Sequence, residues 1–308
     1  IYEKSLSPEL LAEHLKGIMQ ALDCKMKPVI LSIGVADSIL RSTDMPLMPV
    51  PEMRMMLKYN SKNYLQQDLP DHVFDCYIVP PKAGAATDAA KEGPGRGSQK
   101  FKVWVAAAKN RLLSDLQAGT KAAGLVADQV TLSILGPVNA FEAAYPEIFS
   151  KDVVALVDVG FKGSTINIVS EGELVLSRVV GIGGDKLTAG LAESIGVTYS
   201  EAEGIKIGMP QEVESSLQPL LSPLGRELRA SIDFFEHQFD RTVGEVYVSG
   251  GAAASEFILA SLQSELMVPC KSWNPAASLA MNLPPEQMAQ LEQLAPQLVV
   301  AMGTALQA

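Results

Sequence analysis

VVALVDVGFKGSTINIVSEGELVLSRVVGIGGDKLTAGLAESIGVTYSEAEGIK, residues 153–206, is the stretch that decides the fold. It opens on an unbroken apolar run, 153–157, that ends in an acid, Asp158. Such a run reads as a strand buried on both faces. Residues 164–170 (STINIVS) alternate polar and apolar with the two-residue period of a strand. Glu171, Gly172 and Glu173 make the turn into a third strand, 174–180, so three consecutive strands form an antiparallel meander. The spacing then changes to that of a helix over 187–195.

Downstream, apolar residues at Leu224, Leu228, Ile232, Phe235 and Phe239 recur at helical spacing, predicting a helix over about 222–239. Residues 246–249 (VYVS) read as a strand. Gly250 and Gly251 follow it, and a helix is expected over 255–266. The chain closes on an apolar helix, 294–306. That segment carries no Lys or Arg, so it lacks the cations of a membrane-lying helix and reads as core.

Upstream, residues 7–22 form an amphipathic helix with Ser7 as N-cap and Pro8 at the first helical position. Residues 29–33 are a short strand. A Pro- and Met-rich turn at 45–51 leads into a helix over about 52–66. Strands at 76–79 and 101–107 flank residues 80–99, a Gly-, Pro- and Ala-rich stretch that composition marks as the loop of a hairpin. A helix over 110–123 ends before Gly124, a fitting residue just past a helix end.

With 308 residues, 47% of them apolar and 19% charged, the chain can bury two domain cores. A formal net charge of −10 disfavours nucleic acid as a partner. Three well-separated cysteines, Cys24, Cys76 and Cys270, and three scattered histidines offer neither a disulfide framework nor a zinc motif. No run is apolar and long enough to span a bilayer. The sequence starts at Ile1 without Met and without a signal-peptide pattern, so a trimmed chain is expected.

Four short segments carry candidate chemistry. In 158–165 (DVGFKGST) a tight turn joins two strands. Gly160 and Gly163 allow close backbone approach, amides and the Ser164 and Thr165 hydroxyls can face phosphate oxygens, and Asp158 can hold Mg2+ through water. In 181–185 (GIGGD), glycines stand before a helix N-terminus, a natural seat for an anion, with Asp185 as the competing N-cap. Glu203 and Lys206, three residues apart, share a helical face and form either a surface ion pair or a bracket around a ribose. In 249–253 (SGGAA), small residues after a strand leave room for an adenine and its sugar. Each segment alone is also an ordinary turn or surface pair.

Their order is more specific. A DxG turn between antiparallel strands, GGD before a helix, AExxK on a helix and SGG after a late strand is the order of the nucleotide site in the actin, sugar kinase and Hsp70 class. Residues 153–206 closely resemble type IV pilus PilM proteins and their cell-division relative FtsA. So does 224–275, with LRASIDFFEHQF, VYVSGGAA and WNP, and so does the closing VVAMGTAL. The LSI, MPLMPVPEM and AAGL pieces upstream are similar to the small extra domain of that family.

The resemblance implies an α/β, actin-like (Hsp70/actin/FtsA) two-domain ATPase fold with a small inserted α+β subdomain. Residues 1–29 and 136–152 are expected in the first actin-like domain, 30–135 in the inserted subdomain, and 153–308 in the second domain with a closing helix returning to the first. ATP and Mg2+ are the implied ligands. Asp158, Gly160, Lys162, Gly163, Ser164 and Thr165 match the second phosphate loop, with Asp158 on the metal side. Gly183, Gly184 and Asp185 match the turn lining the cleft. Glu203 and Lys206 match the pair near ribose and base, and Gly250, Gly251 and Ala252 match the adenosine loop. The family also opens with a DxGxxxxK- or ExGxxxxK-like first phosphate loop. Nothing before Ile33 matches it, so the first strands are expected to lie upstream of Ile1, and ATP and Mg2+ binding depend on that loop.

The implied role is a cytoplasmic scaffold of a type IV pilus-like inner-membrane platform, gripping the N-terminal tail of a PilN-like membrane protein. Pilus motor ATPases and self-association are further implied contacts, with no direct membrane insertion and at most weak ATPase turnover. The alternative is an FtsA- or actin-like cycling or polymerising ATPase. A small-molecule kinase of the same fold would need a catalytic Asp after a sugar-binding strand, and none stands out.

Overall fold

The computed structural model describes residues 7–25, 27–80 and 100–306. They fall into two units, 1–33 with 37–130, and 34–36 with 131–308. Of the expected loop at 80–99, residues 81–99 lie outside the described residues.

In the smaller unit, α1 (Pro8–Ala21) is capped by Ser7, whose Oγ accepts from the Leu10 amide at 3.2 Å. It packs on α3 (Asn110–Ala122). A side chain at Gly119 of α3 would stand 2.8 Å from Leu11, so the two helices cross closely. β1 (Pro28–Ile33) pairs with β5 (Val126–Leu132). A second sheet has the order β2 (Ser38–Pro46), β4 (Lys100–Lys109), β3 (His72–Ile78), all antiparallel. Against it α2 (Val50–Leu65) buries Met53, Leu57 and Leu65 on Met45, Phe74, Val103 and Val105. The pairing of β3 with β4 matches the expected hairpin. β2 escapes the sequence reading because it is an edge strand whose Arg41, Ser42 and Asp44 are exposed, which breaks its apolar alternation.

The expected boundaries at 29/30 and 135/136 are displaced. The described residues of 1–29 group with the smaller unit, where α1 packs on α3, burying Ala12, and β1 pairs with β5.

The larger unit is built on a five-stranded sheet ordered β10 (Cys270–Ser272), β9 (Glu245–Gly250), β6 (Val153–Val159), β7 (Ser164–Ser170), β8 (Glu173–Val180). β6, β7 and β8 form the expected antiparallel meander, while β9 runs parallel to β6 and β10 parallel to β9. The β7–β8 turn places Glu171 and Gly172 at φ 51° and 80°, the handedness of a two-residue hairpin loop.

Both faces of this sheet are covered. On one lie α4 (Gly136–Ala144), α5 (Pro146–Lys151) and α10 (Pro285–Ala305), around Phe141, Leu156, Tyr247 and Trp273. On the other lie α6 (Gly184–Ile195), α8 (Glu214–Phe239) and α9 (Glu256–Leu266), burying Val157, Ile166, Ile168 and Val248. α7 (Tyr199–Gly208) packs on α6 and is opened by a capping box between Thr198 and Glu201.

α8 starts eight residues before the sequence expectation and runs through Pro219 and Pro223. Burial explains this: Leu217, Leu221, Leu224, Leu228, Ile232 and Phe235 form one inward stripe, and their transfer from water outweighs the lost backbone bonds. α10 likewise extends back to Pro285 through the buried Pro296.

Candidate functional site

The apolar run of β6 ends at Asp158, and the chain must reverse within 160–163 to start β7. That turn stacks on the opening of α6. The Gly184 and Asp185 amides donate to the carbonyls of Gly160 and Phe161, both at 2.9 Å. Only glycine fits at 183, since a Cβ there would stand 2.5 Å from the Phe161 carbonyl oxygen and 2.6 Å from that of Gly160. The glycines before α6 thus serve close packing of turn on helix. Two of the helix's first amides are spent on that packing, which corrects the expectation of an open anion seat at those positions. The N-cap is Gly183, not Asp185.

Asp185 points instead to Lys162, whose ammonium lies 2.8 Å from its Oδ2, and accepts from the Tyr199 hydroxyl at 3.0 Å. The Lys162 ammonium and the Tyr199 hydroxyl hold the Asp185 carboxyl below the usual carboxylate range. Lys162 also lies over the Phe161 ring, 5.3 Å from its centroid.

Glu203 and Lys206 form a partly buried network, not a surface ion pair. Lys206 Nζ donates to Glu203 Oε2 at 2.7 Å and to Thr188 Oγ1 at 2.6 Å. Thr188 in turn bonds Glu203 and, at 2.9 Å, the Gly184 carbonyl. The Lys206 side chain is 11% exposed. Burial pushes the Glu203 carboxyl up, but the bonds from Lys206 and Thr188 outweigh it and hold it lower than usual.

On the other face of the sheet, Thr165, Asp158 and Ser249 stand side by side across β7, β6 and β9. Ser249 Oγ donates to Asp158 Oδ1 at 2.8 Å. Burial raises the Asp158 carboxyl, and the Ser249 bond draws it partly back. Thr165 is 2% exposed and its hydroxyl has no partner among the described residues. Ser164, its neighbour, faces the opposite way and donates to the Ile182 carbonyl at 2.7 Å. After Ser249 the chain turns at Gly250, with φ 91° and a Cβ position only 2.3 Å from the Val159 carbonyl oxygen. Gly251 has open space around it, and Ala252 packs on the core beneath.

The structure therefore brings the candidates into three contiguous groups. Asp158, Thr165 and Gly250–Ala252 gather where β6 and β9 end. Gly160, Lys162 and Gly163 stack on Gly183, Gly184 and Asp185. Glu203 and Lys206 adjoin them through Thr188. Ser164 turns away to pin the α6 approach. Thr188 and Tyr199 are residues that sequence reasoning missed, and Ser249, read there within SGGAA, was given no bond to Asp158. The period-2 face shared by Tyr247 and Ser249 could have pointed to that bond, but only once β9 is known to lie beside β6.

Among the described residues no group of three or more His, Cys, Asp or Glu could hold a metal ion alone. A single carboxylate beside an unpartnered hydroxyl instead suits Mg2+ held mainly by phosphates and water.

The family model for the type IV pilus assembly protein PilM matches residues 7–308. Among solved structures, a PilM–PilN type IV pilus biogenesis complex is 23% identical, with a TM-score of 0.80 over 97% of this chain and 85% of that one. MreB5 of Spiroplasma citri bound to ADP is 12% identical, with a TM-score of 0.52 over 99% of this chain and 76% of that one. The expected actin-like α/β fold is thus the fold of this chain.

Proposed function

The chain belongs to the type IV pilus assembly protein PilM family, and on that premise we propose that it is a nucleotide-binding scaffold of a type IV pilus assembly platform. Its partner in this reading is the N-terminal tail of a PilN-like inner-membrane protein, which it holds from the cytoplasmic side. The observation that carries the reading is the near-complete match to PilM in both sequence pattern and fold, including the PilM found in complex with PilN. No helix among the described residues is long and apolar enough to cross a membrane, so attachment through a membrane-anchored partner fits the chain.

ATP with Mg2+ is the proposed ligand of the glycine-rich site. Asp158 stands on the metal side, with Thr165 beside it. Gly160, Lys162 and Gly163 form the phosphate turn, Ser164 pins it through the Ile182 carbonyl, and Gly183, Gly184 and Asp185 support it. Glu203 and Lys206 serve the ribose and base, and Gly250, Gly251 and Ala252 the adenosine. The Lys162 ammonium, more than half exposed, can leave Asp185 for a phosphate at little cost, because an exposed ion pair is weak.

Calorimetric titration with a synthetic peptide of a PilN-like N-terminal tail tests the scaffold role. Saturable one-to-one binding is expected, and no heat of binding with tails from several pilus systems would overturn it.

A further inference from the structure

We propose that Ser249 is a positioning residue that ties the adenosine side of the site to its metal side; the inference rests on the nucleotide reading above. β9 runs parallel to β6 with Ser249 directly beside Asp158. The serine is 1% exposed, so its hydroxyl answers to the protein alone. It donates to Oδ1 of Asp158 at 2.8 Å. Oδ2 lies toward the phosphate turn, 3.6 Å from where a Cβ at Gly160 would stand. One oxygen is thus held by Ser249 while the other is aimed at the turn.

The next residue makes the tie stiff. Gly250 sits at φ 91° and touches the end of β6 so closely that no side chain fits between them. No slack separates the Ser249 hydroxyl from the loop 250–252, and a ligand that settles that loop also settles the rotamer aiming Asp158. The third member of the row is Thr165, in register with Asp158 on the other side. Its buried hydroxyl lacks a partner among the described residues, which a serine serving only to satisfy a buried acid does not explain. The row Thr165–Asp158–Ser249 instead has one oxygen paired and one hydroxyl waiting, the arrangement that hydrated Mg2+ on a nucleotide would complete.

The test is calorimetric titration of the whole chain with ATP, once in MgCl2 and once in EDTA. The quantity read is the ratio of the two affinities. The wild type is expected to bind more tightly with Mg2+. Ser249→Ala should shrink the ratio roughly tenfold, as loss of a hydrogen bond to a charged group implies. Ser249→Thr, which keeps the hydroxyl, should restore it. If the alanine variant fails to fold, Ser249→Cys, which keeps the volume with only a weak donor, should show the same roughly tenfold smaller ratio. A ratio unchanged in Ser249→Ala or Ser249→Cys, beside a wild type that gains from Mg2+, overturns this inference alone. A wild type with no gain from Mg2+ overturns the metal-nucleotide reading and the inference with it.

Discussion

β3 (HVFDCYI) and β7 (STINIVS) both mix polar with apolar residues, yet a polar residue means different things in the two strands. β3 is an edge strand with α2 on one face. Phe74 is buried there, while Asp75 and Tyr77 are exposed on the other side. β7 lies inside the five-stranded sheet, with helices on both faces, and each of its residues is buried. Its polar side chains therefore work inside the protein. Ser164 ties down Ile182, and Asn167 bonds the Ile134 carbonyl at 2.8 Å and accepts from Ser177 at 2.6 Å. Thr165 is left for the site. A polar residue on a half-covered strand reports water; on a doubly covered strand it reports a hydrogen-bond obligation.

The largest effect that follows is at Asn167. Asn167→Ala strands the Ile134 carbonyl and the Ser177 hydroxyl in the interior, and should cost about 2–3 kcal/mol. Urea denaturation measures it, and a loss below about 1 kcal/mol would break the contrast.

Next in size is a shift in acid unfolding. Glu203 has a lowered carboxyl pKa when folded, so the stability it contributes is present above the ordinary carboxylate range. That contribution disappears as pH falls through the lowered folded value. In Lys206→Met the burial that opposes ionisation acts without its counter-charge. The midpoint of acid unfolding, followed by circular dichroism, should then move to higher pH. A midpoint that stays put would mean the Glu203–Lys206 pair is solvated despite its position.

Asp75→Ala should produce the smallest change. Asp75 holds Arg54 at 2.7 Å, but both are well exposed, at 66% and 49%. The expected loss is below about 1 kcal/mol by the same urea measurement. A loss matching that of Asn167→Ala would show that β3 is covered after all.

Much of this architecture was legible because it rests on local rules. The meander 153–180, a turn within 171–173, the Ser7 cap and the Gly124 stop follow from period, turn chemistry and capping. The glycine-bearing segments were legible by order and kind, but their duties were not. Gly183 and Gly250 are required by the backbone that passes them, and that backbone comes from strands and turns distant in sequence. α4 was missed because its opening Gly136–Pro137 reads as a turn, whereas the proline occupies the first helical turn where no amide is needed. The length of α8 was missed because Pro219 and Pro223 outweigh a local reading until the buried leucine stripe is counted.

The sequence by itself determined the meander over 153–180, the strand at 246–249 and the helices over 187–195, 222–239 and 255–266 in the larger unit, and that a strand–glycine–helix pattern recurs there in an order shared with nucleotide-binding folds. Periodicity and φ preference act over a few residues, so neighbours in the chain suffice to express them. Only the tertiary structure decided that α1 belongs with α3, that the amides of Gly184 and Asp185 are spent on the 160–161 carbonyls, and that Thr165, Asp158 and Ser249 form one row. Those facts depend on which strand lies beside which and on what covers each face. Burial turns a polar side chain from a solvated group into one that must find a partner, and sequence spacing carries no record of that partner.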